Sequence, residues 1–311
     1  MGTPDFAVTS LDALVQHGYN IVGVITAPDK PSGRGMKLTG SAVKNYAVEK
    51  GLHILQPEKL KNPDFLNELR ALEADLQVVV AFRMLPEIVW NMPALGTFNL
   101  HGSLLPMYRG AAPINWAIIN GEKETGVTTF KLQHDIDTGN ILLQERIPIG
   151  DEETASELHD RMKSIGASLI VKTLQGLTEG ILEEVPQMRN AGDALNPSDR
   201  DGQTDLKHAP KIFTETCKIN WTKNTNEVFN LIRGLSAYPA AFTYLDGKLF
   251  KIFRAHQEKN SLNVTPGTHQ TDRKTFLRFA CNDGFIAVKE IQLEGKKKMG
   301  IEEFLRGYNP G

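Results

Sequence analysis

Asn99, His101 and Asp137 are the residues of this 311-residue chain whose types suit chemistry at a carbonyl carbon. An amide N–H and a protonated imidazole both donate to an oxyanion, and a nearby carboxylate orients the imidazole. That set supports addition to a carbonyl without a covalent enzyme intermediate. Ser103 is a rival nucleophile, although a lone serine in a Gly-Ser-Leu turn reads more readily as structural. Other chemistries lack their motifs. Gly33-Arg-Gly35 does not continue as G-x-G-x-x-G, and there is no P-loop, H-E-x-x-H or G-x-S-x-G.

The elements that must position these residues follow from the hydrophobic pattern. Leu76-Gln-Val-Val-Val-Ala81 reads as a buried strand of a parallel sheet. Residues 96–101 form a second strand whose period of two puts Asn99 and His101 on one face. Gly102 and Pro106 end it, and a helix is expected over 111–120. Polar residues at the carboxyl end of an apolar strand mark the crevice where open α/β sheets bind ligands.

Across residues 1–180 short apolar runs alternate with helical patterns, the sign of a parallel sheet with crossover helices. Strands are expected at 20–26, 53–55, 126–132 and 140–149, and helices at 10–18, 41–50, 63–72 and 154–180. Ala27 to Gly40 reads as a loop, and His134-Asp-Ile-Asp-Thr-Gly139 as a turn. Residues 2–6 look like a strand-to-helix turn with only Met1 before them. A doubly wound domain wants a strand there, so a first strand upstream of Met1 is expected.

The length suggests two domains. At 41% hydrophobic and 23% charged, composition is that of a globular chain. There is no run of eighteen apolar residues and no basic-then-apolar leader at the start, so neither a membrane span nor a signal peptide is expected. Cys217 and Cys281 form no metal or disulfide spacing, and a reducing cytoplasm is the simplest compartment. Residues 186–205, broken by Pro186, Gly192, Pro197 and Gly202, read as a linker. It separates domains at 1–185 and 206–311. The second domain shows short strands with an Asp246-Gly247 hairpin turn, which suggests a small OB-like barrel. Charge divides unevenly: residues 206–311 hold 17 Lys+Arg against 10 Asp+Glu, while the whole chain carries -2. A basic module on an acidic one suggests a polyanionic partner.

Several motifs together resemble the methionyl-tRNA formyltransferase family. They are Asn99-Leu-His101 with Gly-Ser-Leu-Leu-Pro106, Tyr108-Arg-Gly-Ala-Ala-Pro113, Glu124-Thr-Gly-Val127 and Asp137-Thr-Gly139. Gly2-Thr-Pro-Asp-Phe-Ala7, Pro28 to Gly35, Ala209-Pro-Lys-Ile212, Ile219-Asn-Trp221 and Ile232-Arg-Gly234 extend the likeness along nearly the whole chain. The Phe82-Arg-Met-Leu-Pro86 segment departs from the family's usual Tyr-Gly and aliphatic residues.

The resemblance implies a Rossmann-like, parallel-sheet α/β formyltransferase domain followed by an OB-like tRNA-binding domain. It implies transfer of the formyl group of 10-formyltetrahydrofolate to the α-amino group of methionyl initiator tRNA. Nothing in the sequence calls for a metal or a membrane, and a monomer is expected. Asn99 and His101 then hold the oxyanion, and Asp137 orients His101 and moves the amine proton. The folate pocket is expected at Arg83, Leu85, Ser103, Leu104, Leu105, Pro106, Ile136 and Thr138. Contacts to tRNA are expected from Lys30, Arg34, Lys37, Lys211, Lys248, Lys251, Arg254, Lys296, Lys297 and Lys298. Two alternatives stay open. A formyltransferase for a small amine, such as a nucleotide sugar or glycinamide ribonucleotide, has no use for a basic second domain. A non-catalytic RNA-binding protein has no use for the trio.

Overall fold

The computed structural model describes residues 1–32, 37–187, 206–259 and 264–308. The first part runs α1 (Asp5–Gln16), β1 (Val24–Ile25), β2 (Lys30–Ser32), β3 (Lys37–Thr39), α2 (Ala42–Glu49), β4 (Ile54–Leu55), α3 (Pro63–Ala71), β5 (Gln77–Val80), α4 (Glu87–Trp90) and β6 (Thr97–His101). It continues with β7 (Arg109–Gly110), α5 (Pro113–Ile119), β8 (Glu124–Lys131), β9 (Ile141–Pro148) and α6 (Ala155–Glu179). Then come β10 (His208–Ala209), α7 (Thr214–Cys217), α8 (Thr225–Leu235), β11 (Ala241–Leu245), β12 (Lys248–Lys259), β13 (His269–Thr271), β14 (Leu277–Ala280), β15 (Gly284–Leu293), β16 (Met299–Gly300) and α9 (Ile301–Leu305).

Two compact units emerge. One comprises residues 1–110, 126–147 and 159–207, the other residues 111–125, 148–158 and 208–311. In the first unit, β5-β6-β8-β9 form one sheet and β1-β4 a parallel pair. The sheet is not wholly parallel as the sequence pattern suggested: β5 and β6 are parallel, but β8 is antiparallel to β6 with Thr128 opposite His101. The register gives the reason. The chain after His101 returns to the end of the sheet where β6 stopped, so the next strand runs back down. The expected loop at 27–40 contains the β2–β3 hairpin, with Lys30 opposite Thr39. Arg34 lies outside the described residues. The long helix α6 agrees with its expected bounds because Thr154 and Glu157 form a capping box, Thr154 N–H donating to Glu157 at 2.9 Å and Glu157 N–H to Thr154 Oγ1 at 3.4 Å.

Helix α1 starts at Asp5, earlier than its apolar period suggests, with Pro4 in extended conformation ahead of it. Only Val24 and Ile25 of the expected strand 20–26 are paired. Their other neighbour is a two-residue stub. Gly2 N–H donates to the Ile25 carbonyl at 3.1 Å, Val80 N–H to the Met1 carbonyl at 2.9 Å, and Gly2 bridges Val80 in parallel. Glycine is required there, since a Cβ would lie 2.5 Å from that of Ala7. Beside the stub, between Asn20–Val24 and Leu76–Val80, lies a cavity of about 140 Å³ also lined by Leu11 and Leu14.

In the second unit β11-β12-β15-β14-β13 form a curled antiparallel sheet, with β16 added to β15. The Asp246-Gly247 turn joins β11 to β12 with φ of 48° and 75°, as the dipeptide predicts. Helix α8 opens with a capping box from Asn224 and Glu227 and buries Val228, Phe229 and Ile232 in the core. Trp221 stacks on Phe279 at 4.7 Å in that core. Strands β13 and β16 and helix α9 were too short to stand out in the pattern.

Candidate active site

The central position of β6 decides where its side chains go. Asn99 sits between Val79 of β5 and Phe130 of β8, and His101 is opposite Thr128. His101 is buried, its ring edge-on to Phe130 at 6.4 Å. Its Nε2 lies 2.9 Å from the Tyr108 carbonyl, so Nε2 carries a proton and donates it there. Its Nδ1 lies 3.8 Å from Asp137 Oδ2, close enough for an ion pair and too long for a direct hydrogen bond. The same Oδ2 accepts the Gly110 N–H at 3.0 Å. Asp137 itself is held at φ 56°, a left-handed conformation that a non-glycine residue adopts only where its surroundings impose it. Asn99 Oδ1 is buried and unpartnered among the described residues. The three predicted catalytic residues therefore converge at the carboxyl end of β6.

The turn after His101 is built by side chains the sequence reading did not single out. Thr128 Oγ1 donates to the Ser103 carbonyl at 2.6 Å and accepts the Leu105 N–H at 3.1 Å. Gln144 Nε2 donates to the Leu105 carbonyl at 2.9 Å and to Thr128 Oγ1 at 3.0 Å. Ser103 is fully buried, and its hydroxyl donates to the Met107 carbonyl at 2.6 Å. The Ser103 hydroxyl is thus engaged within the turn, in keeping with its structural reading. Leu105 is buried with both backbone groups engaged. The Leu104 side chain presses on Gly126, where a Cβ would lie 2.4 Å away.

The other folate candidates lie along two segments that touch. Arg83 donates to the carbonyls of Pro57 and, at 2.8 Å, Glu58. Leu85 is buried with Ile25, Leu55, Val79 and Val89, so it can offer a ligand only its backbone. Across from them, His134 pairs with Glu87 at 3.4 Å and meets the Trp90 ring edge-on at 5.7 Å. That contact holds the 132–139 loop against α4 and leaves Met84, Ile88 and Ile136 as exposed apolar side chains. Thr138 Oγ1 donates to the Asp135 carbonyl at 3.1 Å.

Of the predicted cations, Lys30 is exposed on β2, whereas Arg34 and the side chain of Lys37 fall outside the description. In the second unit Lys211 lies over the Phe213 ring at 5.7 Å, while Lys248 is exposed and Lys251 half-buried on β12. No acidic partner is found for these three among the described residues. The rest of the patch is more neutral than its composition suggested. Arg254 is bonded to Glu157 and faces Glu290 at 3.9 Å, Lys298 pairs with Glu290 at 2.7 Å, and Lys297 with Glu303 at 3.4 Å. The Glu157 carboxyl sits below its usual range, first because Thr154 N–H donates to it and then because of Arg254. Among the described residues no cluster of His, Cys, Asp or Glu is placed to hold a metal, and no helix is long and apolar enough to cross a membrane.

Comparison with known proteins accords with this geometry. The formyl transferase family matches residues 1–174, and the formyl transferase C-terminal domain matches residues 211–309. The chain is 54% identical to the methionyl-tRNA formyltransferase of Parabacteroides distasonis over 99% of this chain and 94% of that one. It is 51% identical to that of Bacteroides fragilis with the same coverage. The fold is similar to that of an N-formyltransferase from Helicobacter canadensis solved with folinic acid and dTDP-3-aminofucose: TM-score 0.67 and 22% identity over 96% of this chain and 97% of that one.

Packing at the Asp137-Thr-Gly139 turn makes its own prediction. A Cβ on Gly139 would lie 1.6 Å from the Lys131 carbonyl oxygen, so Gly139→Ala must push the turn off β8. The substitution should cost about 1–3 kcal/mol of stability, the usual range for overpacking, and abolish most turnover. Denaturant unfolding and a formyl-transfer assay check both halves, and full activity would show that the turn need not stay on β8.

Proposed function

The chain belongs to the methionyl-tRNA formyltransferases of the formyl transferase family, and we propose that Asn99, His101 and Asp137 carry its chemistry. The reaction is transfer of the formyl group of 10-formyltetrahydrofolate to the α-amino group of methionyl initiator tRNA. The observation that carries this assignment is the approach of His101 Nδ1 to Asp137 Oδ2, 3.8 Å, at the end of the strand that also bears the unpartnered Asn99 Oδ1.

An amide oxygen left unpaired in a buried site suits a reacting group that brings its own N–H, such as the incoming amine. Bound folate supplies an activated formyl carbon. Asn99 donates through its amide nitrogen to the formyl oxygen as that atom gains negative charge. His101 in its protonated form does the same through Nδ1–H, because Nε2–H is committed to the Tyr108 carbonyl. The amine forms a C–N bond to the formyl carbon while Asp137 orients the ring and takes up the amine proton, directly or through water. The adduct collapses as the bond from that carbon to N10 of the folate breaks, and tetrahydrofolate leaves carrying that proton. The backbone of Arg83 and Leu85 and the 136–138 turn provide the pterin rim, and Met84, Ile88 and Ile136 give it apolar surface.

The curled antiparallel sheet of the second unit is consistent with an OB-like fold, whose faces commonly bind nucleic acid. We assign the tRNA phosphate contacts to Lys30, Arg34 and Lys37 and to Lys211, Lys248, Lys251 and Lys296. Arg254, Lys297 and Lys298 are neutralised by acids within the protein and contribute less.

The direct assay follows label from formyltetrahydrofolate to charged initiator tRNA. Asn99→Ala or His101→Ala should lower turnover about a hundredfold or more, the usual cost of an oxyanion donor. Asp137→Asn should be at least as damaging, since an amide accepts no proton. Near-normal turnover by Asp137→Asn would sink the assignment.

Arg34 separates tRNA from a small amine as the acceptor. Arg34→Ala should damage formylation of the tRNA severely while leaving folate binding unchanged. A free methionine ester, if used, should react equally with mutant and wild type. Equal losses on both substrates would place Arg34 in the chemistry instead.

A further inference from the structure

One side chain braces Asp137 and has no place in the chemistry above. Gln187 Nε2 donates to the Asp137 carbonyl at 3.0 Å and to the Gly139 carbonyl at 2.7 Å. Its Oε1 accepts from Arg109 Nε at 3.1 Å and Arg109 Nη2 at 2.7 Å. The next residue, Gly110, donates its N–H to Asp137 Oδ2 at 3.0 Å. Gln187 thus ties the main chain of Asp137 to the strand whose amide holds the Asp137 carboxylate.

The segment that presents Gln187 is itself fixed. Val185 exchanges two backbone hydrogen bonds with Ile141, at 2.8 and 2.9 Å. Glu184 accepts from Lys131 at 2.5 Å and from Asn140 at 3.1 Å, and these contacts, Lys131 foremost, hold its carboxyl below the usual range. Residues 184–187 form a strap across the 137–141 turn, anchored at both ends. Asp137 needs such a brace. Its φ of 56° is costly for a residue with a side chain, and Gln187 Nε2 holds its carbonyl at 3.0 Å.

We propose that Gln187 is a positioning residue for Asp137, the donor half of its amide fixing the turn so that the carboxylate stays at its distance from His101. The inference rests on the catalytic reading of Asp137 given above. Misplacing a catalytic group by about 1 Å can cost a hundredfold, so losing two of the bonds that set its backbone should be felt in turnover and not in binding.

Three variants test this, by single-turnover formylation of methionyl initiator tRNA together with Tm. Gln187→Met removes donor and acceptor at similar volume and should lower kcat about tenfold, with KM for both substrates within about twofold and Tm within a few degrees. Gln187→Glu keeps an acceptor for Arg109 but cannot donate, and should lose as much as Gln187→Met. In an Asp137→Asn background, Gln187→Met should cost nothing further, because residues acting through one another are not additive. Wild-type kcat in Gln187→Glu, an undiminished tenfold cost in the Asp137→Asn background, or a loss that only tracks falling Tm would each overturn the inference. Should Asp137→Asn itself keep wild-type turnover, the reading of the site fails and the inference with it. If Asp137→Asn is impaired and Gln187→Met is not, the positioning role alone falls.

Discussion

A histidine buried at the end of a central strand must find partners for both ring nitrogens, since an unmet polar group in the interior costs on the order of 1–3 kcal/mol. Much of the first unit can be understood as the answer to that demand at His101. One nitrogen takes the Tyr108 carbonyl, which is available because Tyr108 adopts a φ of 60° at the end of the 102–108 turn. The other faces Asp137, which is available because the 132–139 loop folds back beside β6. Neither partner is local to the strand. The turn is kept by Thr128 and Gln144 from β8 and β9, and the loop by Glu87 and Trp90 on one side and the 184–187 strap on the other.

The same economy appears in how the polar groups are distributed. Ser103, Thr128 and Gln144 spend their capacity on holding backbone, whereas Asn99 Oδ1 is left with none to hold. Satisfied groups make the scaffold, and Asn99 Oδ1 is one of four buried side-chain polar atoms left without a hydrogen-bond partner among the described residues. In the second unit the pattern repeats with charge. Arg254, Lys297 and Lys298 are paired with glutamates, and Arg233 is buried with its guanidinium on the carbonyls of Gly150 and Glu153 at 3.1 Å. Net charge therefore overstates the cationic surface, and of the contacts expected in the second unit Lys211, Lys248, Lys251 and Lys296 are without an acidic partner among the described residues.

Much was legible in the chain alone. The period-two alternation of 97–101 put Asn99 and His101 on one face, the Asp-Gly dipeptide set the β11–β12 turn, and the apolar spacing of 155–179 defined α6. These are local features, governed by dihedral preference and by which side chains share a face, so they can be read within a window of a few residues. The motifs that carry the family likeness are also short and contiguous.

Tertiary structure alone decided the direction of β8, the burial of Ser103, the pairing of Arg254 with Glu157 and the arrival of Gln187 at Asp137. Apart from Ser103, whose hydroxyl bonds the carbonyl four residues on, each joins positions far apart in the chain, up to 97 residues in the case of Arg254 and Glu157. Sequence spacing carries no signal for such pairs, because the contact is set by which elements pack together and not by the chain between them. The types of the proposed catalytic residues were thus a property of the sequence. Their distances, and the groups that hold those distances, are properties of the fold.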